Sequence, residues 1–196
     1  AVEQPIAVPH GGRTPALSTN PIAMGFPVGD GPPVVVDYAT TAVSGSKVLT
    51  AKDQNAQVPP GSIVDKDGLP STDPDDFLDG GALLPSGEHK GYGMMLAVEF
   101  FGRLLSGSDA FAEEHRGGPI FRHSGVTMMV VKADLFQSME AYAMRADEFG
   151  AQIRSVPPAA GFDAVMMPGD LEAQAQATRE REGIPVPEPL WRRLQD

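Results

Sequence analysis

The chain contains no cysteine among its 196 residues. This absence excludes disulfides, thiolate catalysis and cysteine-based zinc sites, and it is compatible with a reducing cytosol. The apolar runs also fall short of the ~20 residues that are needed to span a bilayer. Residues 1–12 lack the basic start and the apolar centre of a secretory signal. We therefore expect a cytoplasmic protein without a membrane segment.

Basic side chains are scarce, since 15 Lys and Arg residues stand against 26 Asp and Glu residues. The net charge of −11 produces a field that repels nucleic acid and anionic lipid headgroups. The sequence also contains no run of basic residues that could attract these anions locally. Neither nucleic acid nor a membrane is expected as a partner.

Strand-like and helix-like segments alternate along the chain, and this alternation predicts the α/β class. The run of β-branched residues at 34–36 is typical of a strand buried on both faces. Residues 53–81 indicate a polar connection on the surface. The predicted strands are 21–26, 34–36, 126–131 and 164–167, and the predicted helices are 40–54, 90–105, 133–154 and 171–182.

Two of these helices and the end of the chain carry more specific expectations. Leu96, Phe100 and Leu104 recur at i, i+4 and i+8, which predicts an inward stripe on a mostly buried helix. The helix at 133–154 is amphipathic, and Asp134 is placed to cap it. The end of the chain is predicted to form a turn around Trp191.

The residues at 81–93 are rich in Gly and Pro and lead into a helix with Lys90 at its start. Unpaired N–H groups and the helix dipole make such a start positive, and a lysine adds a full charge. This pattern indicates a phosphate or carboxylate site, and the alternative is a solvated lysine that covers the helix start. Asp37 leaves a similar choice between a helix cap and a polar ligand at a strand end.

Fingerprints of metal and nucleotide sites are largely missing. Residues 65–68 hint at a calcium loop, but Pro70 occupies the position that needs glycine, so an ordinary turn is predicted. Residues 91–93 approach a Rossmann fingerprint, but Leu96 replaces its third glycine. The histidines form no i, i+4 pair, and no metal site is expected; they are His10, His89, His115 and His123.

Several short segments, taken together and in order, resemble the malate/L-lactate dehydrogenase family. This is the non-Rossmann group that includes ureidoglycolate, sulfolactate and Δ1-piperideine-2-carboxylate oxidoreductases. Any one segment is weak, but the ordered set spans nearly all of the chain. The segments are residues 9–12 (Pro-His-Gly-Gly), 18–23 (Ser-Thr-Asn-Pro-Ile-Ala), 36–41 (Val-Asp-Tyr-Ala-Thr-Thr), 47–48, 64–68, 71–74, 82–85, 90–93 (Lys-Gly-Tyr-Gly), 161–162 and 168–169.

The resemblance implies an NAD- or NADP-dependent dehydrogenase that moves hydride between nicotinamide and a small 2-hydroxy or 2-imino acid such as malate or lactate. It implies a mixed, mostly antiparallel sheet flanked by helices, in a homodimer. Residues 1–157 would form most of a non-Rossmann cofactor-binding domain. Residues 158–196 would form a C-terminal segment that returns to a substrate domain, which is expected in an N-terminal portion outside this chain.

The resemblance also assigns cofactor contacts to particular residues. Asp37, Tyr38 and Ala39 match the family's cofactor-binding strand end, and Lys90 matches its cofactor-contacting lysine. The regions around Arg145 and Gly169 match less specifically. Arg145 would favour a 2′-phosphate, whereas Asp147 and Asp170 would oppose it, so the choice between NAD and NADP stays open. The implied cofactor-binding residues are Asp37, Tyr38, Ala39, Lys90, Arg145, Asp147, Gly169 and Asp170.

Hydride transfer also requires a general acid or base, and no residue here matches the family's catalytic histidine. His10 and His89 lie near matched segments, but neither matches that position. The catalytic histidine is therefore expected in the N-terminal portion of the same enzyme, together with part of the site for the 2-hydroxy or 2-oxo acid substrate. The alternative function is a truncated, non-catalytic module that binds a nucleotide or a partner chain.

Overall fold

A computed structural model describes residues 5–107, 125–186 and 188–195, and it contains small sheets and helices of a mixed α/β fold. The strands are β1 (Ile22–Phe26), β2 (Val34–Tyr38), β3 (Ile63–Val64), β4 (Pro70–Ser71) and β5 (Ala82–Leu83). The helices are α1 (Gly45–Asp53), α2 (Pro74–Leu78), α3 (His89–Glu99), a π-helix (Phe100–Leu105), α4 (Met139–Arg154), α5 (Asp170–Glu182) and α6 (Glu188–Gln195). None of these described helices has the length and apolarity to cross a membrane.

The described residues divide into two compact units. The first unit comprises those within 1–23 and 37–130, and the second unit comprises those within 24–36 and 131–196. The expected division at residue 157 concerns packing on a substrate domain, and it stays a prediction.

The first unit is built around a three-stranded antiparallel sheet in the order β4–β3–β5. Ile63 lies opposite Ser71 on one side and Leu83 on the other. The buried apolar side chains against this sheet are Ala7, Val48, Val58, Ile63, Leu83 and Met95. The prediction of a surface connection over residues 53–81 was therefore wrong. Strands of two residues are too short to produce an alternating pattern in the sequence.

The prediction of an ordinary turn at residues 65–68 is confirmed, between β3 and β4. The carboxylate of Asp65 accepts the N–H groups of Asp67 and Leu69, each at 2.9 Å. Gly68 has a φ of +85°, a conformation that favours glycine. The aspartate of this segment therefore closes a turn on its own backbone.

β1 and β2 form a two-stranded sheet, and their short connection permits only antiparallel pairing. The expectation that residues 34–36 are buried on both faces was wrong, because Val35 is 41% exposed. The helix-cap alternative for Asp37 was also wrong, since Asp37 lies inside β2. Ser44 caps α1 instead, and its hydroxyl accepts the N–H of Lys47 at 3.3 Å.

The predicted helix at 90–105 is present, but it changes from α to π geometry at Phe100. The inward stripe was wrong, because Phe100 is 61% exposed and Leu104 is also exposed. The buried side chains on α3 are Met95 and Glu99. The residues that are buried on this helix are those that take part in a polar contact, described below. The periodicity of the apolar residues does not predict that contact.

In the second unit, α5 confirms the predicted polar helix, whereas α4 begins later than expected. Ser138 caps α4 and accepts the N–H of Ala141 at 3.2 Å, so the cap assigned to Asp134 was wrong. The end of the chain forms α6 and not a turn around Trp191.

Two predicted strands are not strands in the structure. Residues 126–131, of which 126–130 belong to the first unit, and residues 164–167, in the second, lie outside every sheet of the described chain. A β-branched or apolar run becomes a strand only when another strand supplies hydrogen bonds to its backbone.

Candidate functional site

The C-terminal end of β2 reaches the surface of the first unit. Asp37 and Tyr38 are exposed, and Ala39 is half-buried. The chain then turns inward at Thr40, which is buried. The carbonyl of Thr40 accepts the N–H of Ser86 at 2.9 Å, and the N–H of Ala42 donates to Leu84 at 2.9 Å. The segment after the strand end therefore lies alongside residues 84–86, which lead into α3.

The start of α3 is a tight loop with a positive end. Glu88, before the first helical residue, has a φ of +57° and makes no side-chain cap. A Cβ atom at Gly91 would lie 1.8 Å from the carbonyl oxygen of Ser86, so only glycine permits this approach. The first turn of the helix contains no acidic residue, and the side chain of Lys90 is exposed. The structure thus presents a cation at an exposed helix start.

Two histidines flank this helix start. The rings of His10 and His89 lie 6.0 Å apart between centroids, with an interplanar angle of 62°. His115 and His123 lie outside the described residues. Within the described ranges, no three His, Asp or Glu side chains come together as a metal site.

A buried polar cluster, which sequence reasoning missed, links the strand end to α3. The amide Nδ2 of Asn20 donates to the carbonyl of Met95 at 3.0 Å and to Oε1 of Glu99 at 2.9 Å. The hydroxyl of Thr40 lies 3.0 Å from the carbonyls of both Thr19 and Asn20. The one sequence signal is Asn20 itself, because asparagine tolerates its φ of +41°.

In the second unit, Asp147 contacts the loop between β1 and β2. Its Oδ1 accepts the N–H of Gly29 at 3.0 Å. A Cβ atom at Gly29 would lie 2.0 Å from Oδ2 of Asp147, so this contact requires glycine. Arg145 is exposed, and its Nη1 lies 3.2 Å from Oε1 of Gln137.

Gly169 and Asp170 lie at the start of α5. Gly169 has a φ of +97°, and a Cβ atom there would lie 3.3 Å from the amide nitrogen of Val35. Asp170 accepts two hydrogen bonds from the guanidinium of Arg154, at 2.8 and 3.0 Å, and one from the N–H of Met167 at 2.8 Å. The guanidinium, aided by that N–H group, lowers the pKa of Asp170 below its ordinary range.

A cavity of about 650 Å³ lies within the second unit. Its lining includes Asp147, Asp170 and Arg154, but not Arg145. The structure therefore brings two of the predicted residues together at one cavity, with Gly169 next to it in the chain. Because both carboxylates are already bound by groups of the chain itself, each has a role in holding this unit together.

The elements described above define a mixed α/β protein with small antiparallel sheets and an exposed cation where a helix begins. The model of the malate/L-lactate dehydrogenase family matches residues 1–195. The chain belongs to this family, which confirms the resemblance found in the sequence.

Individual relatives agree with this assignment. The malate/(S)-sulfolactate dehydrogenase of Methanothermus fervidus is 36% identical over 98% of this chain and 56% of its own length. The ureidoglycolate dehydrogenase (NAD⁺) of Escherichia coli is 31% identical over 97% of this chain and 54% of its own length. The crystal structure of Δ1-piperideine-2-carboxylate reductase from Pseudomonas syringae matches with a TM-score of 0.77 and 34% identity, over 98% of this chain and 57% of the other. The chain therefore spans about half the length of the curated relatives it matches.

The pair of Arg154 and Asp170 predicts a specific pH dependence of stability. The pKa of Asp170 is lowered from 3.8 in the folded protein, so the pair stabilises the fold fully above that ordinary value. This contribution is lost as the pH falls below it, through the lowered pKa. We expect Asp170→Asn to reduce the melting temperature at neutral pH by about 2–4 °C, the effect of ~1 kcal/mol, and to weaken the pH dependence below pH ~4.

A matched control is Asp79→Asn, which breaks an ion pair with Lys66 at 2.8 Å in which both side chains are largely exposed. Exposed pairs contribute little, so its melting temperature should stay close to that of the parent protein. Equal losses in the two variants, measured by calorimetry from pH 3 to 7, would contradict the structural role of Asp170.

The contact of Asp147 predicts how tightly the loop at 27–33 is held. Asp147→Ala removes the acceptor of the Gly29 amide, and that amide should exchange with solvent about fivefold faster, as expected for the loss of ~1 kcal/mol. Asp147→Asn keeps an acceptor oxygen and should leave the exchange nearly unchanged. Hydrogen exchange resolved by NMR measures both, with Asp163→Ala at an exposed position as the control. Unaltered exchange in Asp147→Ala would rule out this role.

Proposed function

We propose that this chain is the cofactor-binding part of an NAD(P)-dependent oxidoreductase acting on a small 2-hydroxy or 2-imino acid. The observation that carries the proposal is the pairing of residues 40–42 with residues 84–86. It joins the strand end that contains Asp37 to the helix start that contains Lys90. Relatives named for malate, sulfolactate and NAD⁺ support the chemistry.

Each matched residue suits a part of the cofactor. Asp37 is exposed and can accept hydrogen bonds from ribose hydroxyls. Lys90 is an exposed cation at a positive helix start. This arrangement suits the binding of the cofactor's pyrophosphate or of the substrate's carboxylate. Tyr38 and Ala39 offer a partly apolar surface between them. The nicotinamide, when bound, supplies the group that accepts or donates the hydride.

The residues of the second unit are assigned more indirectly. Asp147 binds the backbone of the loop between β1 and β2, and Asp170 binds the backbone just before α5. Gly169, which has no side chain, permits the start of α5 to approach Val35 closely. Arg145 is exposed on α4 and is the group that would favour a 2′-phosphate, and hence NADP. The cofactor is therefore NAD or NADP, since Arg145 would favour a 2′-phosphate and the carboxylates of Asp147 and Asp170 would oppose it.

The proton that accompanies hydride transfer needs a residue that titrates near neutrality. We assign it to a histidine in an N-terminal portion of the same enzyme, which would also carry part of the substrate site. In this scheme residues 1–157 belong to a non-Rossmann cofactor domain, and residues 158–196 return to the substrate domain. The whole enzyme would work in the cytoplasm.

We also propose that the enzyme is a homodimer. The support is apolar surface on the first unit, where the π-helix and residues 126–130 meet through the hydrogen bond from the hydroxyl of Thr127 to the carbonyl of Phe101, at 2.5 Å. The large apolar side chains here that are more than half exposed include Phe100, Phe101, Leu105, Met128 and Met129. Apolar surface of this kind on a folded protein marks contact with another surface.

The dimer predicts a mass of twice 20.7 kDa at micromolar concentrations. Met129→Asp places a charge on this surface and should shift the protein towards the monomer in sedimentation equilibrium. Leu69→Asp, at an exposed position on the turn between β3 and β4, is the matched control and should not change the mass. A parent protein that stays monomeric would refute the proposal.

The cofactor assignment predicts that Lys90→Ala weakens the binding of NADH or NADPH by about 1.5–3 kcal/mol, the scale of a charge-assisted contact. This corresponds to roughly a 10- to 150-fold larger Kd. Titration of the nicotinamide fluorescence with the full chain measures both cofactors.

Lys66→Ala removes another exposed lysine, on the turn between β3 and β4, and should leave both Kd values unchanged. If the parent chain binds neither cofactor, the proposed function fails. If it binds one of them and Lys90→Ala binds it equally well, only the role of Lys90 is lost.

A further inference from the structure

Asn20 occupies an unusual place in the first unit, because a polar side chain lies where apolar packing is expected. It is 2% exposed, and its backbone takes a left-handed conformation with φ at +41°. Both donor positions of its amide nitrogen are used, one on the carbonyl of Met95 and one on the carboxylate of Glu99. A buried amide that satisfies two partners on one helix fixes its distance from that helix.

The same residue also holds the strand end. Its backbone carbonyl accepts the hydroxyl of Thr40 at 3.0 Å, and the neighbouring carbonyl of Thr19 accepts the N–H of Thr40 at 2.9 Å. Thr40 directly follows the predicted cofactor residues Asp37, Tyr38 and Ala39. One residue thus contacts α3 through its side chain and the strand end through its main chain.

The two contacts on α3 also fix the position of the helix start, where Lys90 lies. Met95 and Glu99 lie one to three turns after Lys90 on the same helix, so fixing them fixes the helix start along its axis. The helix changes to π geometry directly after Glu99, at Phe100. Glu99 is itself 6% exposed, and its Oε2 lies 3.4 Å from Nε of Arg103, so its charge is compensated.

We propose that Asn20 is a positioning residue of the nucleotide site, which sets the separation between the strand end at Asp37 and the cation at Lys90. It does not touch the cofactor itself. A ligand that contacts both places at once needs them at one fixed distance, and an amide bound to both elements supplies that constraint. This inference rests on the proposed function of Lys90.

The test is a double-mutant cycle between Asn20 and Lys90 on the full chain, with NADH as the probe. Asn20→Gly keeps the left-handed backbone and removes the amide, so it isolates the side chain. We expect it to weaken NADH binding roughly tenfold in the parent protein, within the range of couplings between connected residues. In the Lys90→Ala background the further loss should be under about twofold, because the cation that Asn20 positions is gone.

A merely structural role gives a different result. If Asn20→Gly merely loosened the fold, it would weaken NADH binding by the same factor in the parent protein and in Lys90→Ala. Equal factors in these two proteins would overturn the inference. An unchanged Kd in a cooperatively melting Asn20→Gly protein would also overturn it. If Lys90→Ala alone leaves NADH binding unaltered, the proposed function of Lys90 falls first and the inference falls with it.

A second variant covers the case in which Asn20→Gly does not fold. Thr40→Val removes the hydroxyl that donates to Asn20 and Thr19 with little change in volume, and it should show the same dependence on Lys90. Thr50→Val is the matched control, because its hydroxyl donates to Ser46 on the exposed side of α1 at 3.0 Å. Thr40→Val and Thr50→Val with equal NADH affinity would count against the positioning role.

Discussion

The amide of Asn20 is the constraint on which the geometry of the candidate site depends. It binds Met95 and Glu99, which lie 75 and 79 residues further along the chain. Met95 is also one of the apolar side chains packed against the three-stranded sheet of the first unit. Apolar contacts resist separation but permit sliding, because they are non-directional. Hydrogen bonds to a carbonyl and a carboxylate fix direction and distance. The polar cluster therefore decides where α3 begins relative to the strand end.

This local geometry is also what the proposed binding of an anionic cofactor would depend on in a protein with a net charge of −11. The mean field opposes such a ligand, so attraction has to come from groups within a few ångströms of it. The start of α3 concentrates N–H groups, the dipole and Lys90 at one exposed place, without an acidic residue in the first turn. The carboxylates of Asp147 and Asp170 are instead bound by Gly29, Met167 and Arg154.

The sequence predicted some parts of this arrangement and missed others for identifiable reasons. Helix α5 and strand β1 were predicted within a residue of their bounds, because a polar helical segment and a strand-like run next to Pro and Gly are local patterns. The strands β3 and β5 have two residues each and leave no periodic trace. Residues 126–131 have strand composition, but no other described segment pairs with them as a strand, and composition cannot supply such a partner.

The amino-acid sequence by itself determined the α/β class, the family, the positive start of α3 and the turn at Asp65, since each depends on neighbouring residues or on an ordered set of short segments. Tertiary structure decided which residues hold these parts together. Asn20 and Thr40 stand in segments that resemble the family, but nothing local in the sequence connects them to each other or to Glu99. Their hydrogen bonds exist only because the fold brings groups that are distant in the chain within 3.0 Å. Hydrogen-bond partners far apart in the chain are set by packing, which no local pattern encodes.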